Sequence, residues 1–502
     1  MKHKFLYVYV FLTGAAVMGT EMAASKLAAP YFGTSTIVWA NIIGIILLAM
    51  SAGYFVGGKI ADRYPYPSLL FTLSLSAGIL LTLIPLITRT LFSYLVNGIL
   101  GTPIYLIILT FVGMLLVFAP PIFILAMVSP FVLRLWAPDA SETGKVAGRL
   151  NAFSTLGSIV GTFLPSLVLI PAFGTRSTVY VLALTLIAVS AWGIRRWWAF
   201  LFLLFPLLAL IFNPHSVKGD DNILWEKETT YQYVQVVRQK DDSVALVYNE
   251  GGGVQSIARP NWALQPSDYY NYYLLLPFLN SHNSYKTWII GSAGGTMLGL
   301  FDHYVRPELP DLELTGIEID PEVIPLGQRF FGLSGKEGKI INTDGRIFLS
   351  SQPKTEKADL IIVDAYTQQM YIPFHLSTVE FYREVKNHLN QEGMMALNIN
   401  AISASSPMLQ AFQRTMASVF PYTYVLPVPD SLNYVLIGSP SPINLSDDIQ
   451  FPVSLYAYAQ YMQNNLAPAD SKSGLVLTDD RAPVEFLTDQ MVLEGAGDMG
   501  LR

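Results

Sequence analysis

Long apolar runs recur through the first 213 residues, and no other feature constrains the chain as strongly. Candidate spans lie near 5–25, 36–58, 67–88, 104–135, 150–172, 176–194 and 197–212. Runs of this kind suit a hydrocarbon layer about 30 Å thick. A backbone in lipid must satisfy its own hydrogen bonds, so a bundle of about seven α-helical spans is expected. The fourth run is too long for one straight helix, and Pro120 with Pro121 predicts a kink or a break. The last run is short and carries Pro206, so it either spans or lies in the interface. The first is not a cleaved leader, because it is too long and Glu21 stands where a cleavage site would fall.

Charge divides the chain at the same place. Residues 1–213 hold 12 Lys/Arg against 4 Asp/Glu, and residues 214–502 hold 19 against 33. Over the whole chain only 14% of residues are charged and 52% are hydrophobic, which excludes an ordinary soluble enzyme. The acidic second part would repel phosphates, so no nucleic-acid partner is expected. There are no cysteines, which excludes disulfides, thiolate zinc sites and cysteine nucleophiles. No His/Asp/Glu cluster has metal-ligand spacing, so no metal is expected.

Small residues crowd several runs: Gly14-Ala15-Ala16, Gly53 with Gly57, and Gly157 with Gly161. Such positions let helices approach closely, with a transport path as the sharper alternative. Glu21 reads either as a cation or proton site or as an interfacial cap. Lys2, Lys4, Lys59, Arg63, Arg134, Lys145, Arg149, Arg195 and Arg196 fall on one side of the bundle. Lys26, Arg89 and Arg176 fall on the other. This bias predicts a multi-pass protein of the cell (inner) membrane with its N-terminus in the cytoplasm. The side of the acidic part depends on whether the last run spans.

From Tyr231 the periodicity changes. Tyr231–Val237 alternates like a strand and Val244–Tyr248 is a second short apolar run, which together predict a small antiparallel β region. Gly251–Gly253 marks a turn, and 269–279 reads as a helix rich in Tyr and Leu. Then αβ units follow. Strands are predicted at 287–290, 312–318, 339–341, 359–364 and 394–399, alternating with helical stretches. That alternation means a doubly wound, Rossmann-like α/β sheet. The expected organisation is a polytopic helical domain over 1–213, a linker and β-rich part over 214–285, and a nucleoside-binding domain over 286–502.

Sheets of this kind bind ligands at the carboxyl ends of their strands. The turn Gly291-Ser-Ala-Gly294-Gly295-Thr296 follows the first strand and lets backbone approach a ligand closely. Glu318 ends the second strand, near the spacing of an acid that grips ribose hydroxyls. Asp344 and Asp364 end the third and fourth strand regions. Three acids and one glycine turn predict a nucleoside cleft. The turn is neither a Walker A loop nor the dinucleotide fingerprint, so a single nucleoside is favoured.

At these residues the chain resembles the spermidine synthase family of aminopropyltransferases, and in particular its members fused to a transporter-like N-terminal part. The resemblance covers about 225–440. It also takes in 147–161 among the apolar runs and Leu477–Glu485 near the C-terminus. It implies decarboxylated S-adenosylmethionine as co-substrate, or S-adenosylmethionine itself. The loop with Gly291, Gly294 and Gly295 would hold the sulfonium nucleoside's amino-acid-like arm, Glu318 the ribose, and Asp344 with Gly345 the adenine amino group. Gln232 and Gln255 would line the nucleoside site with Tyr231. Asp364 matches the catalytic aspartate. That role agrees with its chemistry, since an amine must lose a proton before it attacks carbon beside sulfonium.

Departures fall on the acceptor side. The family's second aspartate, three residues after the catalytic one, is Thr367 here, in Asp364-Ala-Tyr366-Thr367. Its Asp-Gly is Asn249-Glu250-Gly251, and its Tyr-His-Glu is Tyr269-Tyr270-Asn271. Tyr366 and Thr367 are the candidate acceptor contacts, and putrescine becomes a doubtful acceptor. His375, after Pro373-Phe374, is expected to pack the loop over the cleft rather than touch substrate. The expected partners are a small amine or polyamine and the lipid bilayer, with a homo-oligomer left open. Two other readings share the fold: an S-adenosylmethionine-dependent methyltransferase, and a polyamine or nucleoside transporter or sensor with a non-catalytic synthase-like domain.

Overall fold

The computed structural model of the protein describes residues 3–32, 36–97, 103–136, 143–212, 222–248, 253–279, 284–367, 371–443, 445, 449–488, 490 and 491. The chain separates into two compact units, Met1–Asp220 and Asp221–Arg502.

The first unit is helical. Its elements are α1 (His3–Phe32), α2 (Thr36–Arg63), α3 (Pro67–Asn97), α4 (Pro103–Val117), α5 (Ala119–Ala126), α6 (Val128–Trp136), α7 (Thr143–Leu164), α8 (Ile170–Phe173), α9 (Thr175–Ile194) and α10 (Leu204–Ile211). Six stretches among the described residues are long and apolar enough to cross a membrane: Lys4–Ala29, Val38–Arg63, Pro67–Phe92, Ala119–Trp136, Thr143–Phe173 and Thr175–Ile194. The long run at 104–135 is broken into α4, α5 and α6. Its prolines sit in the first turn of α5, where a missing N–H costs no intrahelical bond. The last run, Trp197–Ile211, is a shorter apolar helix.

Small residues set the contact between α1 and α7. A Cβ on Gly157 would strike the backbone carbonyl of Phe11, and one on Gly161 that of Ala15. The 157/161 spacing thus lets the two backbones meet, as the sequence pattern suggests. Glu21 lies on α1 and is partly exposed.

The second unit begins with four antiparallel strands in sequence order: β1 (Ile223–Glu228), β2 (Tyr233–Arg238), β3 (Val244–Tyr248) and β4 (Val254–Ala258). Residues 249–252, with most of the glycine turn and the Asn249-Glu250-Gly251 motif, lie outside the described residues. The 269–279 stretch forms α11 (Tyr270–Tyr273) and a 3-10 turn at Leu276–Leu279.

The main sheet has eight strands: β5 (Ser284–Ile290), β6 (Asp311–Glu318), β7 (Lys339–Asn342), β8 (Ala358–Val363), β9 (Leu389–Asn400), β10 (Tyr422–Pro427), β11 (Asn433–Ser439) and β12 (Ala467–Pro468). Their spatial order is β12-β10-β11-β9-β8-β5-β6-β7. The five strands from β7 to β9 are parallel, and β11, β10 and β12 extend the sheet in antiparallel fashion.

Both faces of this sheet are covered. Trp288, Ile290, Ile361, Val363, Met395 and Leu397 pack into one core with residues of α14 (Gly345–Ser351), α15 (Val379–Asn387) and α16 (Pro407–Ala417). Their neighbours Ile289, Leu360, Ile362, Met394 and Ala396 pack into the other, with α11, α12 (Thr296–Leu300) and α17 (Tyr456–Asn465). The alternation is the period of two that a strand imposes. A smaller core joins Val234, Val236 and Leu246 of the first sheet to Leu326 of α13 (Ile324–Phe330) and Phe331. Parallel strands buried on both faces end together, which gathers the acids at their carboxyl ends along one edge.

Candidate active site

The site is organised by the turn after β5. Gly291 has φ of +88° and Gly295 of +84°. A Cβ on Gly291 would collide with the Asp364 carbonyl and the Ala365 Cα, so glycine is what lets this turn lie against the end of β8. The turn's backbone is fully engaged. The Gly291 and Ser292 N–H groups both donate to the Ile317 carbonyl, at 2.9 and 3.1 Å. The Ala293 N–H donates to Glu318 Oε2 at 2.7 Å, Gly294 to Ser256 Oγ at 2.9 Å, and Gly295 to the Ser292 carbonyl at 2.8 Å. Thr296 locks the turn to β4: its Oγ1 accepts from the Ile257 N–H at 2.8 Å and donates to the Ile257 carbonyl at 2.9 Å.

Asp364 follows β8, and its N–H donates to the Ile290 carbonyl at 2.8 Å. The Tyr269 hydroxyl donates to its Oδ2 at 2.7 Å. Its Oδ1 is buried and has no partner among the described residues. Burial raises the Asp364 carboxyl from an ordinary 3.8 to about 7, and the Tyr269 bond works against that rise. Tyr269, Tyr273 and Tyr366 surround the carboxylate, and burial followed by its charge holds all three phenols well above their usual value. They are therefore donors at neutral pH. Tyr366 already donates to the Asn398 carbonyl at 2.7 Å.

Asp364 opens on a cavity of about 450 Å³. Of the residues given a site role from sequence, Gln255, Gly291, Asp364 and Tyr366 line it, as do Ser292 and Thr296 of the turn and Tyr269 and Tyr270. The sequence reading gave no role to Arg259, Asp268, Asn398, Asn400 or Asn433, which line it too. Arg259 and Asp268 form an ion pair, with Nη2 donating to Oδ1 at 3.1 Å, and Arg259 also donates to the Tyr270 hydroxyl at 3.0 Å. The asparagines had a sequence signal. Asn398-Ile-Asn400 places two amides on one face of an otherwise apolar strand, and Asn433 of β11 is the register partner of Asn400.

Two further clusters flank the turn. Glu318 is buried at the end of β6, where Oε2 takes the Ala293 N–H and Oε1 the Asp320 N–H at 2.9 Å. Burial raises it to about 7, with the two backbone bonds opposing. Asp320 beside it accepts from the Thr229 hydroxyl at 2.6 Å. Tyr248 stands against both acids and bonds to the Gln232 side chain. Tyr231 is half exposed beside this group. In the second cluster Asp344 caps α14, its Oδ1 accepting from the Arg346 and Ile347 N–H groups at 2.9 and 3.0 Å. Its Oδ2 lies 3.0 Å from His375 Nε2. The His375 bond first, and the backbone bonds after it, hold Asp344 below the usual carboxylate range. His375 therefore meets an acid of the site. Gly345 packs α14 against Ile290 with no room for a Cβ. Thr367 is exposed, and its N–H and hydroxyl both turn to the Tyr371 carbonyl, at 2.7 and 3.2 Å. Among the described residues no group of three or more His, Cys, Asp or Glu side chains is placed to hold a metal ion.

Residues 270–439 match the family model of the spermine/spermidine synthase domain. The C-terminal part of the chain carries a spermine/spermidine synthase domain. The helical part is fused ahead of this synthase domain. A probable polyamine aminopropyl transferase from Bifidobacterium longum is 32% identical, covering 55% of this chain and 66% of that relative. The polyamine aminopropyltransferase of Vibrio vulnificus is 28% identical, covering 47% of this chain and 78% of that relative. Among solved structures, a probable spermidine synthase from Corynebacterium glutamicum is 18% identical over 51% of this chain and 95% of its own, with a TM-score of 0.40. Within this domain an acid ends β6 and another follows each of β7 and β8, and a glycine turn follows β5.

Proposed function

We propose that the synthase domain transfers an aminopropyl group from decarboxylated S-adenosylmethionine to an amine, with Asp364 as the base. The observation that carries this reading is Asp364 itself. One oxygen is held by Tyr269 and the other is buried, unpartnered and beside the cavity. A protonated amine placed there gives its proton to Oδ1. The freed nitrogen lone pair forms the new C–N bond, the C–S bond breaks, and its electron pair returns the sulfonium to a neutral thioether. The proton leaves through Asp364. The leaving group is already good, so orientation of amine and carbon provides much of the acceleration.

The donor's nucleoside is assigned to Gln232, Gln255, Glu318, Asp344 and Gly345, and its arm to the turn of Gly291, Gly294 and Gly295. Each Glu318 oxygen accepts one backbone N–H and keeps a lone pair for a ribose hydroxyl. Tyr231, Tyr366 and Thr367 are assigned to the substrate side.

The turn supports a decarboxylated donor over S-adenosylmethionine. The N–H groups of Gly291 through Gly295 all have acceptors inside the protein. A methionine carboxylate would find no free donor in that turn, and it would lie near Asp364, which repels it. Calorimetry on the full chain in detergent tests this. Decarboxylated S-adenosylmethionine is expected to bind at least about tenfold more tightly, a difference of about 1.4 kcal/mol. Tighter binding of S-adenosylmethionine would overturn the reading in favour of methyl transfer.

A base near 7 sets the pH dependence. The neutral carboxyl accepts no proton, so the rate is expected to rise with pH through about 7. The Tyr269 bond favours the ionised form, so Tyr269→Phe is expected to move that rise to higher pH while leaving the plateau within about tenfold. A pH–rate profile with an unmoved midpoint would remove Tyr269 from this role.

The six apolar helices are read as membrane spans. An even number, with the basic bias that puts the N-terminus in the cytoplasm, leaves the synthase domain on the cytoplasmic side, within reach of the cell's nucleoside pool.

A further inference from the structure

Beyond Asp364 the described cavity wall offers few charges. Its other acid, Asp268, is neutralised by the ion pair with Arg259. The remaining wall on the β9–β11 side is amide: Asn398, Asn400 and Asn433. Asn398 is 2% exposed, and its Oδ1 is buried with no partner among the described residues. A single unpaired carboxylate therefore faces a donor that already brings a sulfonium and a propylammonium, and an acceptor that brings the attacking amine.

We infer that the acceptor is a primary amine whose far end is uncharged and hydrogen-bonding, a hydroxyl or a carboxamide, read by Asn398 and its neighbours Asn400 and Asn433. The inference rests on the aminopropyl-transfer reading and names its second substrate. A hydroxyl or amide hydrogen satisfies the Asn398 oxygen, and the amide N–H groups of the same wall satisfy the substrate's own oxygen. A second ammonium at that end would leave water without an unpaired carboxylate of the described wall to meet it, and a buried charge without a counter-ion is strongly disfavoured. Arg259, a cation of the same cavity wall, adds repulsion rather than relief although it is paired.

The test measures methylthioadenosine release by the full-length protein with decarboxylated S-adenosylmethionine and two acceptors of equal length, aminobutanol and putrescine. Expected is a kcat/KM for aminobutanol at least about tenfold above that for putrescine. Asn398→Asp restores a carboxylate to the wall and is expected to move the ratio toward putrescine by about tenfold or more. If that variant does not accumulate, Asn400→Asp, at a less buried position, takes its place. A wild-type preference for putrescine would overturn the inference and leave the transferase reading standing. A ratio unmoved by the new carboxylate would overturn the amide wall's role. No methylthioadenosine with either amine, or with any other primary amine, would sink the transferase reading itself.

Discussion

Asp364→Asn is expected to lower the transfer rate by about a thousandfold, within the range for loss of a positioned base. The amide keeps the shape and still accepts from Tyr269, so the donor should still bind, weakened by the loss of one facing charge. The same substitution should stabilise the fold. Asp364 titrates near 7 in the folded protein and near 4 when unfolded, so the fold holds this proton more tightly than the unfolded chain. Stability from the group is full below the unfolded carboxyl range and is lost as pH rises through about 7. Above pH 7 the variant should therefore exceed the wild type by on the order of 2–4 kcal/mol, and the gain should shrink toward pH 5. Thermal unfolding of both proteins across that range measures it. A variant that keeps its rate, or one less stable than the wild type at pH 8, would show that Asp364 is a structural cap.

Glu318→Gln is the second large effect. The change is nearly isosteric, yet both Glu318 oxygens accept a backbone N–H, from Ala293 and from Asp320. Glutamine keeps one acceptor and turns an NH2 toward the other N–H. A buried donor left unsatisfied costs about 1–3 kcal/mol, and here the donor belongs to the glycine turn. The expected outcome is a melting point lower by several degrees and donor affinity reduced about a hundredfold or more. Affinity unchanged within about threefold would remove Glu318 from the nucleoside site.

Parts of this site are legible in the sequence because local chemistry writes them there. The strand ending in Glu318, the strand ending before Asp364 and the glycine turn between β5 and α12 each follow from an apolar run meeting a turn residue. A close helix approach at Gly157 and Gly161 is legible in the same way, although its partner α1 is not. What escapes the sequence depends on distance along the chain. The His375–Asp344 pair joins residues 31 apart, and Tyr269 reaches Asp364 across 95. The antiparallel extension β10–β12 carries no αβ alternation to announce it. The turn that ties the Thr367 hydroxyl to the Tyr371 carbonyl is likewise not written in the sequence. The asparagines of β9 were overlooked because neutral amides at a strand end carry no charge pattern, although their period of two was visible.

The resemblance to spermidine synthases implies a kept nucleoside half and an altered acceptor half, and the proposed function adopts that division. Glu318 and Asp344, proposed for the nucleoside, are tied into backbone bonds that fix their orientation. In the cavity proposed for the acceptor, Asp364 is, among the described residues, the carboxylate without an ion-pair partner, set among phenols and amides. Orientation serves recognition of a fixed nucleoside, and a sparse wall narrows the charge that an acceptor can bring.

The most direct test of the central claim is product analysis with the purified full-length protein and decarboxylated S-adenosylmethionine. Expected is methylthioadenosine in equal amount with an amine heavier by one aminopropyl group, and both formed about a thousandfold more slowly with Asp364→Asn. Formation of S-adenosylhomocysteine from S-adenosylmethionine, with no methylthioadenosine from the decarboxylated donor, would contradict it.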